Sequence, residues 1–295
     1  MSVEPLTSQG TAAYQADGSW FHRSFSEQVD TVAEREPEKL ALTDGADSYT
    51  YAGLVDVTRA IGHGILALGV RRGDVVAVQS PNRVWLPLLH IACNRIGAVF
   101  LPLSDSWRHS EVRHLVGLAQ APVLCIPPDS PAFSYRAMAD DLLPELPHLK
   151  AVVELGGEGP HSLASLAAEA SSSVAQSSAK PEDWSFCMVT SGTTALPKIS
   201  KRTDLGLNAL LRSGFGPRVR LSPDDIAAGL APANTGATGY VFPVVAPLQI
   251  GARSVILSKW SPPDAVRLLA ESGATLATAI PTQMVQLLQV PELAP

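Results

Sequence analysis

Short, almost unbroken apolar runs recur along this chain, and they constrain its fold more than any other feature. "VVAVQS" (75–80), "AVFLPL" (98–103), "PVLCIPP" (122–128) and "WSFCMVT" (184–190) lack the apolar–polar alternation of a strand with one wet face. Strands written this way need cover on both sides, as in a parallel sheet sandwiched between helices. The intervening segments supply the helices. Periodicity predicts one from Phe25 to Glu36, one through "VDVTRAIGHGILALG" that stops at Gly69, and one near Ser110 to Ala119. Asn82 is placed to cap another, which gives way at Gly97. "KLALTD" and "DSYTYAGL" add two shorter strands near the start.

The polar, low-complexity stretch "SSSVAQSSAK" (171–180) is the best boundary, giving an expected first α/β subdomain over 1–175 and a second over 176–295. Beyond it the alternation resumes. "DIAAGLAP", "ARSVILS" and "ATLATAI" read as strands, with a helix over about Gly239 to Gln249. Another follows in "SPPDAVRLLAESG", opened by Ser261 as cap and prolines in the first turn, and "PTQMVQLLQV" starts a last one. The expected fold is α/β: two lobes of mostly parallel sheet flanked by helices.

Charge and cysteine content narrow the function. With 22 Lys+Arg against 28 Asp+Glu, the net charge of −6 argues against a duplex nucleic-acid surface. Cys93, Cys125 and Cys187 are far apart in apolar settings, without metal-ligand spacing, and read as buried free thiols of a reducing cytoplasm. "VWLPLLHIACNRIGAVFLPL" is the most membrane-like stretch, but His90, Asn94 and Arg95 interrupt it, so it reads as a buried helix entering a buried strand. Trp107 and Trp260 read as packing residues, and Arg108, His109 and His114 as a solvated helix face.

"MVTSGTTALPKIS" (188–200) carries the chemistry. It follows a buried strand and is expected to lead into a helix capped by Thr203 or Asp204, where open α/β sheets place ligands. Gly192 allows close backbone approach, Ser191, Thr193 and Thr194 offer hydroxyls, and Lys198 offers a mobile cation. Such a set complements polyphosphate, whose charge is spread over several oxygens. It is not a Walker loop, because Pro197 precedes the lysine and Ile199 follows it.

"TSGTTALPK" resembles the phosphate loop of the adenylate-forming (AMP-binding) enzymes, [YT]-T-S-G-T-T-G-x-P-K. That superfamily includes acyl- and aryl-CoA ligases, adenylation domains of nonribosomal peptide synthetases, and luciferases. "SYTYAGL", "LGVRRGDVVAVQSPN", "RIGAVFLPL", "LSPDDIAAGLAP", "IGARSVILS" and "GATLATAIPT" resemble further family segments in the same order. The resemblance implies activation of a small carboxylic acid by Mg2+-ATP to an acyl-adenylate. Transfer then follows to coenzyme A or to the phosphopantetheine of a carrier protein, with neither nucleic acid nor membrane as partner. It gives the β- and γ-phosphates to Thr190, Ser191, Gly192, Thr193, Thr194 and Lys198, with Lys198 as the catalytic cation. It sets "APANTGATGY" against the acid, with Asn234 and Gly236 as binding residues. Aryl-acid members carry His-Asn where Ala233-Asn234 stands, and "PKISKRTD" also leans toward that branch.

Departures qualify this. Ala195 and Ile199 stand where the family usually has glycine. The Y-G-x-[TS]-E motif with its magnesium carboxylate, the later ribose-binding aspartate and the small C-terminal domain with its lysine have no counterpart here. The resemblance therefore implies the larger part of an N-terminal domain, with little activity by itself and with an open sheet flank that invites self-association. The alternative is a non-catalytic binding or assembly module derived from a ligase.

Overall fold

The computed structural model describes residues 16, 21–159, 162–169, 179–190, 196–233 and 236–291. Eleven strands form two sheets among these residues. They are β1 (Leu40–Thr43), β2 (Ser48–Thr50), β3 (Val75–Ser80), β4 (Val99–Ser104), β5 (Val123–Ile126) and β6 (Ala151–Glu154). After these come β7 (Trp184–Thr190), β8 (Lys198–Thr203), β9 (Ile226–Gly229), β10 (Arg253–Ile256) and β11 (Leu276–Thr278). One sheet runs β6-β5-β3-β4-β7-β8, parallel except for β8; the other runs β11-β9-β10-β1-β2, parallel except for β2.

The helices begin with α1 (Phe25–Arg35), α2 (Tyr51–Ala67), α3 (Trp85–Arg95), α4 (His109–Ala119), α5 (Tyr135–Glu145) and α6 (Leu163–Glu169). In the second half, α7 (Asp204–Ala209) continues through a π-helical turn, Leu210–Phe215, into α8 (Gly216–Val219). A second π-helical segment, Ala237–Val245, leads into α9 (Ala246–Ile250); α10 (Pro262–Ser272) and α11 (Pro281–Leu287) complete the set.

The sheets do not divide at residue 175. β7 and β8 complete the sheet begun by β3–β6, while β1 and β2 join the one built from β9–β11. The polar stretch before β7 marks a change of composition; which strands pair is decided by long-range packing that local composition does not record.

Every residue of β3 and β4 is buried. Alternation along the strands sorts their side chains into two cores. Val76, Val78, Phe100 and Phe186 face helices α1–α3 and share one core with Leu42 and Ile256 of the second sheet. Val75, Ala77, Leu101 and Cys187 face α4 and α5. The double cover expected from the apolar runs is present, and all three cysteines are buried and free.

The expected cap signals hold at Thr203, whose hydroxyl accepts from Gly206 N–H, and at Ser261, which accepts from Asp264 N–H. Asn82 departs from its expected role: α3 follows Val84 without a side-chain cap. Asp204 and Arg95, both buried, are paired across elements. The Asp204 carboxylate, fully buried, accepts from Phe25 N–H (3.0 Å), Asn94 Nδ2 (2.8 Å) and Ser185 Oγ (2.6 Å), joining α1, α3 and β7 to α7. Arg95, 1% exposed, binds Asp30 through both terminal nitrogens, at 2.8 and 2.6 Å.

His90 sits among Phe25, Phe100, Phe186 and Tyr240, fully buried, sharing a 3.1 Å hydrogen bond between Nδ1 and the Tyr240 hydroxyl. Its Nε2 has no partner. Burial pushes its pKa down from 6.5 to about 3. The ring is neutral in both states above pH 6.5; as pH falls toward 3, only the unfolded chain takes up the proton. Stability should therefore fall by up to about 1.4 kcal/mol per pH unit across that window from this group. Urea titrations between pH 7 and 4 should show a shallower pH slope for His90→Phe than for the wild type; equal slopes would show that His90 does not carry the effect.

Candidate active site

In both sheets the parallel strands leave their C-terminal ends on one side, and the two sets of ends meet. Asn82, just past β3, makes the junction. Its Nδ2 donates to the carbonyls of Ala231 (3.1 Å) and Leu257 (3.3 Å), past β9 and β10, and its Oδ1 accepts from Ala233 N–H (2.8 Å). The helix-cap expectation for Asn82 is thus replaced by a tie between sheets, because its amide meets three backbone groups of the facing sheet. Arg83 reinforces it, reaching Asp44 and Asp47 (2.9 Å to the latter) in the turn after β1, while Val84 N–H donates to Asp44 at 3.1 Å. Burial alone would raise the Asp44 carboxyl, but these amide and guanidinium contacts hold it below its ordinary value.

Register aligns the candidate ligands along that edge. Ser80 pairs with Ser104, and Phe100 with Phe186, so four residues further on Thr190 lies level with Ser104. Ligands of open α/β sheets bind at such an edge. A cavity of about 230 Å³ opens here, lined by Ser80, Asn82, Ser104, Asp105, Pro232 and Ala233 among others.

Thr190 ends β7 directly opposite Lys198, the first residue of β8. The two strands therefore pair as an antiparallel hairpin, and the expected passage from loop into helix is corrected: the antiparallel strand β8 intervenes before α7. The signal was weak because β8 is an edge strand with no fully buried residue. Thr190 and Lys198 both have exposed side chains at the two feet of the loop. Ser191, Gly192, Thr193, Thr194 and Ala195 lie outside the described residues, as does Asn234. Ile199, where glycine was expected, pairs with Val189 and packs on the α4–α5 core. A β-branched residue suits that strand position.

His114 was read as part of a solvated face, yet it is half-buried, and its Nε2 lies 3.0 Å from the carbonyl oxygen of Pro197. It holds the C-terminal foot of the loop next to Lys198. Its spacing on α4 gives no hint of this, because the partner is 83 residues away. His109 does face outward, beside Glu145 at 3.3 Å. Trp107 and Trp260 pack against the cores as expected.

Gly236 reaches the same region from the other sheet. It adopts φ 66°, ψ −114°, and a Cβ there would lie 2.5 Å from the Met188 methyl carbon, two residues before Thr190. Only glycine fits that combination. The segment assigned to the acid and the strand that carries the loop are in contact. Among the described residues no group of three or more His, Cys, Asp or Glu is arranged to hold a metal ion. No described helix is long and apolar enough to cross a membrane.

Asn82→Asp would remove two donated hydrogen bonds and set a carboxylate against two carbonyls. It should cost about 2–3 kcal/mol, read as a lowered urea midpoint; an unchanged midpoint would show that the sheets are held together without it.

The model of the AMP-binding enzyme family matches residues 29–294. The chain is 31% identical to the medium-chain fatty-acid–CoA ligase of Escherichia coli strain K12, over 97% of its own length and 51% of that protein. It is 29% identical to the salicyl-AMP ligase/salicyl-S-ArCP synthetase of Mycobacterium tuberculosis, over 94% and 50%. The apo structure of Mycobacterium smegmatis MbtA superposes with a TM-score of 0.86 at 26% identity, covering 97% of this chain and 53% of that one. The chain thus spans about half the length of the curated relatives it matches. With the ordered motifs, the two-sheet fold and a family match over nearly its whole length, the chain belongs to the AMP-binding enzyme family.

Proposed function

We propose that this chain is the larger part of the N-terminal domain of a ligase that activates a carboxylic acid with ATP and passes the acyl group to a thiol. The observation that carries the reading is the β7–β8 hairpin, whose feet Thr190 and Lys198 stand at the edge where both sheets converge and whose Met188 touches Gly236.

In the first step a carboxylate oxygen attacks the α-phosphorus of ATP. The bond to the bridging oxygen of the β-phosphate breaks, and pyrophosphate leaves. Negative charge grows on that leaving group, so donors fixed around it lower the barrier most. We assign this role to Thr190, Ser191, Gly192, Thr193, Thr194 and Lys198. His114 positions the foot of the loop, and the sheet edge holds the set in line with the attacking acid. In the second step a thiol adds to the acyl carbon and AMP departs; coenzyme A or a carrier-protein phosphopantetheine fits the family equally. We place the acid beside Asn234 and Gly236. The relative named as a salicyl-AMP ligase supports an aryl or similar acid.

Acid-dependent ATP–pyrophosphate exchange by the protein carrying this sequence, against a panel of benzoates, aliphatic acids and amino acids, tests the reading. Lys198→Ala should lower the exchange by about a hundredfold; an unaffected rate would remove the lysine from its role. Exchange that no carboxylic acid supports would overturn the proposal as a whole.

A further inference from the structure

A second cavity, of about 560 Å³, lies away from the site just described. It is lined by Arg220 and Leu221, on the approach to β9, and by Gln249 and Ile250, on the approach to β10. It therefore sits at the N-terminal edge of the five-stranded sheet, whereas the candidate active site lies beyond the C-terminal ends of the same strands. Leu211 and Pro217 extend its apolar wall.

Its cations lack counterions among the described residues. Between Leu205 and Pro223 the sequence carries Arg212, Arg218 and Arg220 and no acidic residue, in a protein of net charge −6. Arg212 stacks its guanidinium 3.6 Å from the centre of the Phe21 ring, and neither Arg212 nor Arg220 forms an ion pair among the described residues. Burial pushes the Arg212 guanidinium down from its ordinary value, as expected for a cation partly stripped of water without a carboxylate beside it.

Arg220 is unusual in backbone as well. It ends α8 in the left-handed conformation, φ 54°, a cap position that glycine usually takes. The wall opposite is fixed: Gln28 and Gln249, both more than nine-tenths buried, each donate 3.0 Å hydrogen bonds to Asn208 Oδ1. A rigid, partly apolar hollow with two uncompensated guanidinium groups at its mouth suits an anion carried on an apolar stem.

We propose that this cavity is a second ligand site, distinct from the phosphate loop, that takes an amphipathic anion: a carboxylate or phosphate on an apolar body, its head on Arg212 and Arg220. The inference does not rest on the role given to Lys198.

Calorimetric titrations of this chain with octanoate, octyl phosphate and octan-1-ol test it. At least one of the two anions should bind with 1:1 stoichiometry and octan-1-ol about tenfold more weakly or worse; which anion binds tighter identifies the head group. Arg212→Gln and Arg220→Gly should each weaken the anion about tenfold. Because glycine suits the left-handed cap, Arg220→Gly should melt no lower than the wild type, so its loss of binding cannot come from misfolding. Arg113→Gln, which removes a cation from the other sheet's helices, should leave the titration unchanged. The proposal is overturned if neither anion binds saturably, if octan-1-ol binds as tightly, if Arg220→Gly and Arg212→Gln bind like wild type, or if Arg113→Gln weakens binding equally.

Discussion

One side chain ties the C-terminal ends of the two sheets together at the candidate site. The carboxamide of Asn82 spans the C-terminal ends of two sheets, giving two hydrogen bonds to one and receiving one from it while standing on the other. Each backbone group it satisfies lies just past a strand end, where the ladder no longer provides a partner. The Arg83–Asp44 pair works beside it on the same seam. These ties fix at the rim the contact between the β7–β8 hairpin and the Gly236 segment, above a core that the two sheets share.

The seam is polar at its rim and apolar beneath. Under it the shared core draws on Val76, Val78 and Phe100 from one sheet and on Leu42 and Ile256 from the other, closed by the aromatic group around His90. That core is where the chain commits buried polar groups: Asp204 and Arg95, both paired, and His90, which keeps one nitrogen orphaned. That core fixes the two feet of the β7–β8 hairpin, Thr190 and Lys198, at the sheet edge. A site that stabilises charge on departing pyrophosphate works by holding its dipoles in place before the charge arrives, so the fixed feet matter as much as the residues they carry.

Much of this was legible in the sequence. The apolar runs of β3, β4, β5 and β7 announced buried parallel strands, Ser261 and Thr203 announced helix starts, and the loop's order of residues announced the family. The misses share a cause. β8 reads as charged and irregular because an edge strand has one neighbour and partial exposure, so "KISKRT" carries little strand periodicity. Asn82 looked like a helix cap because a cap needs only local sequence, whereas its real partners lie about 150 residues or more away. His114 and the pairing of β1 with β10 are long-range for the same reason. Local patterns fix which elements form, and long-range packing fixes which of them share an edge.

If the hairpin between Thr190 and Lys198 takes the phosphates of ATP at the seam, nucleotide binding should protect its backbone amides. Hydrogen–deuterium exchange with and without ATP measures this most directly. Exchange should slow on ATP addition in peptides covering residues 188–200, with a smaller effect around 233–240. Unchanged exchange there, or protection appearing only at residues 210–221, would contradict it.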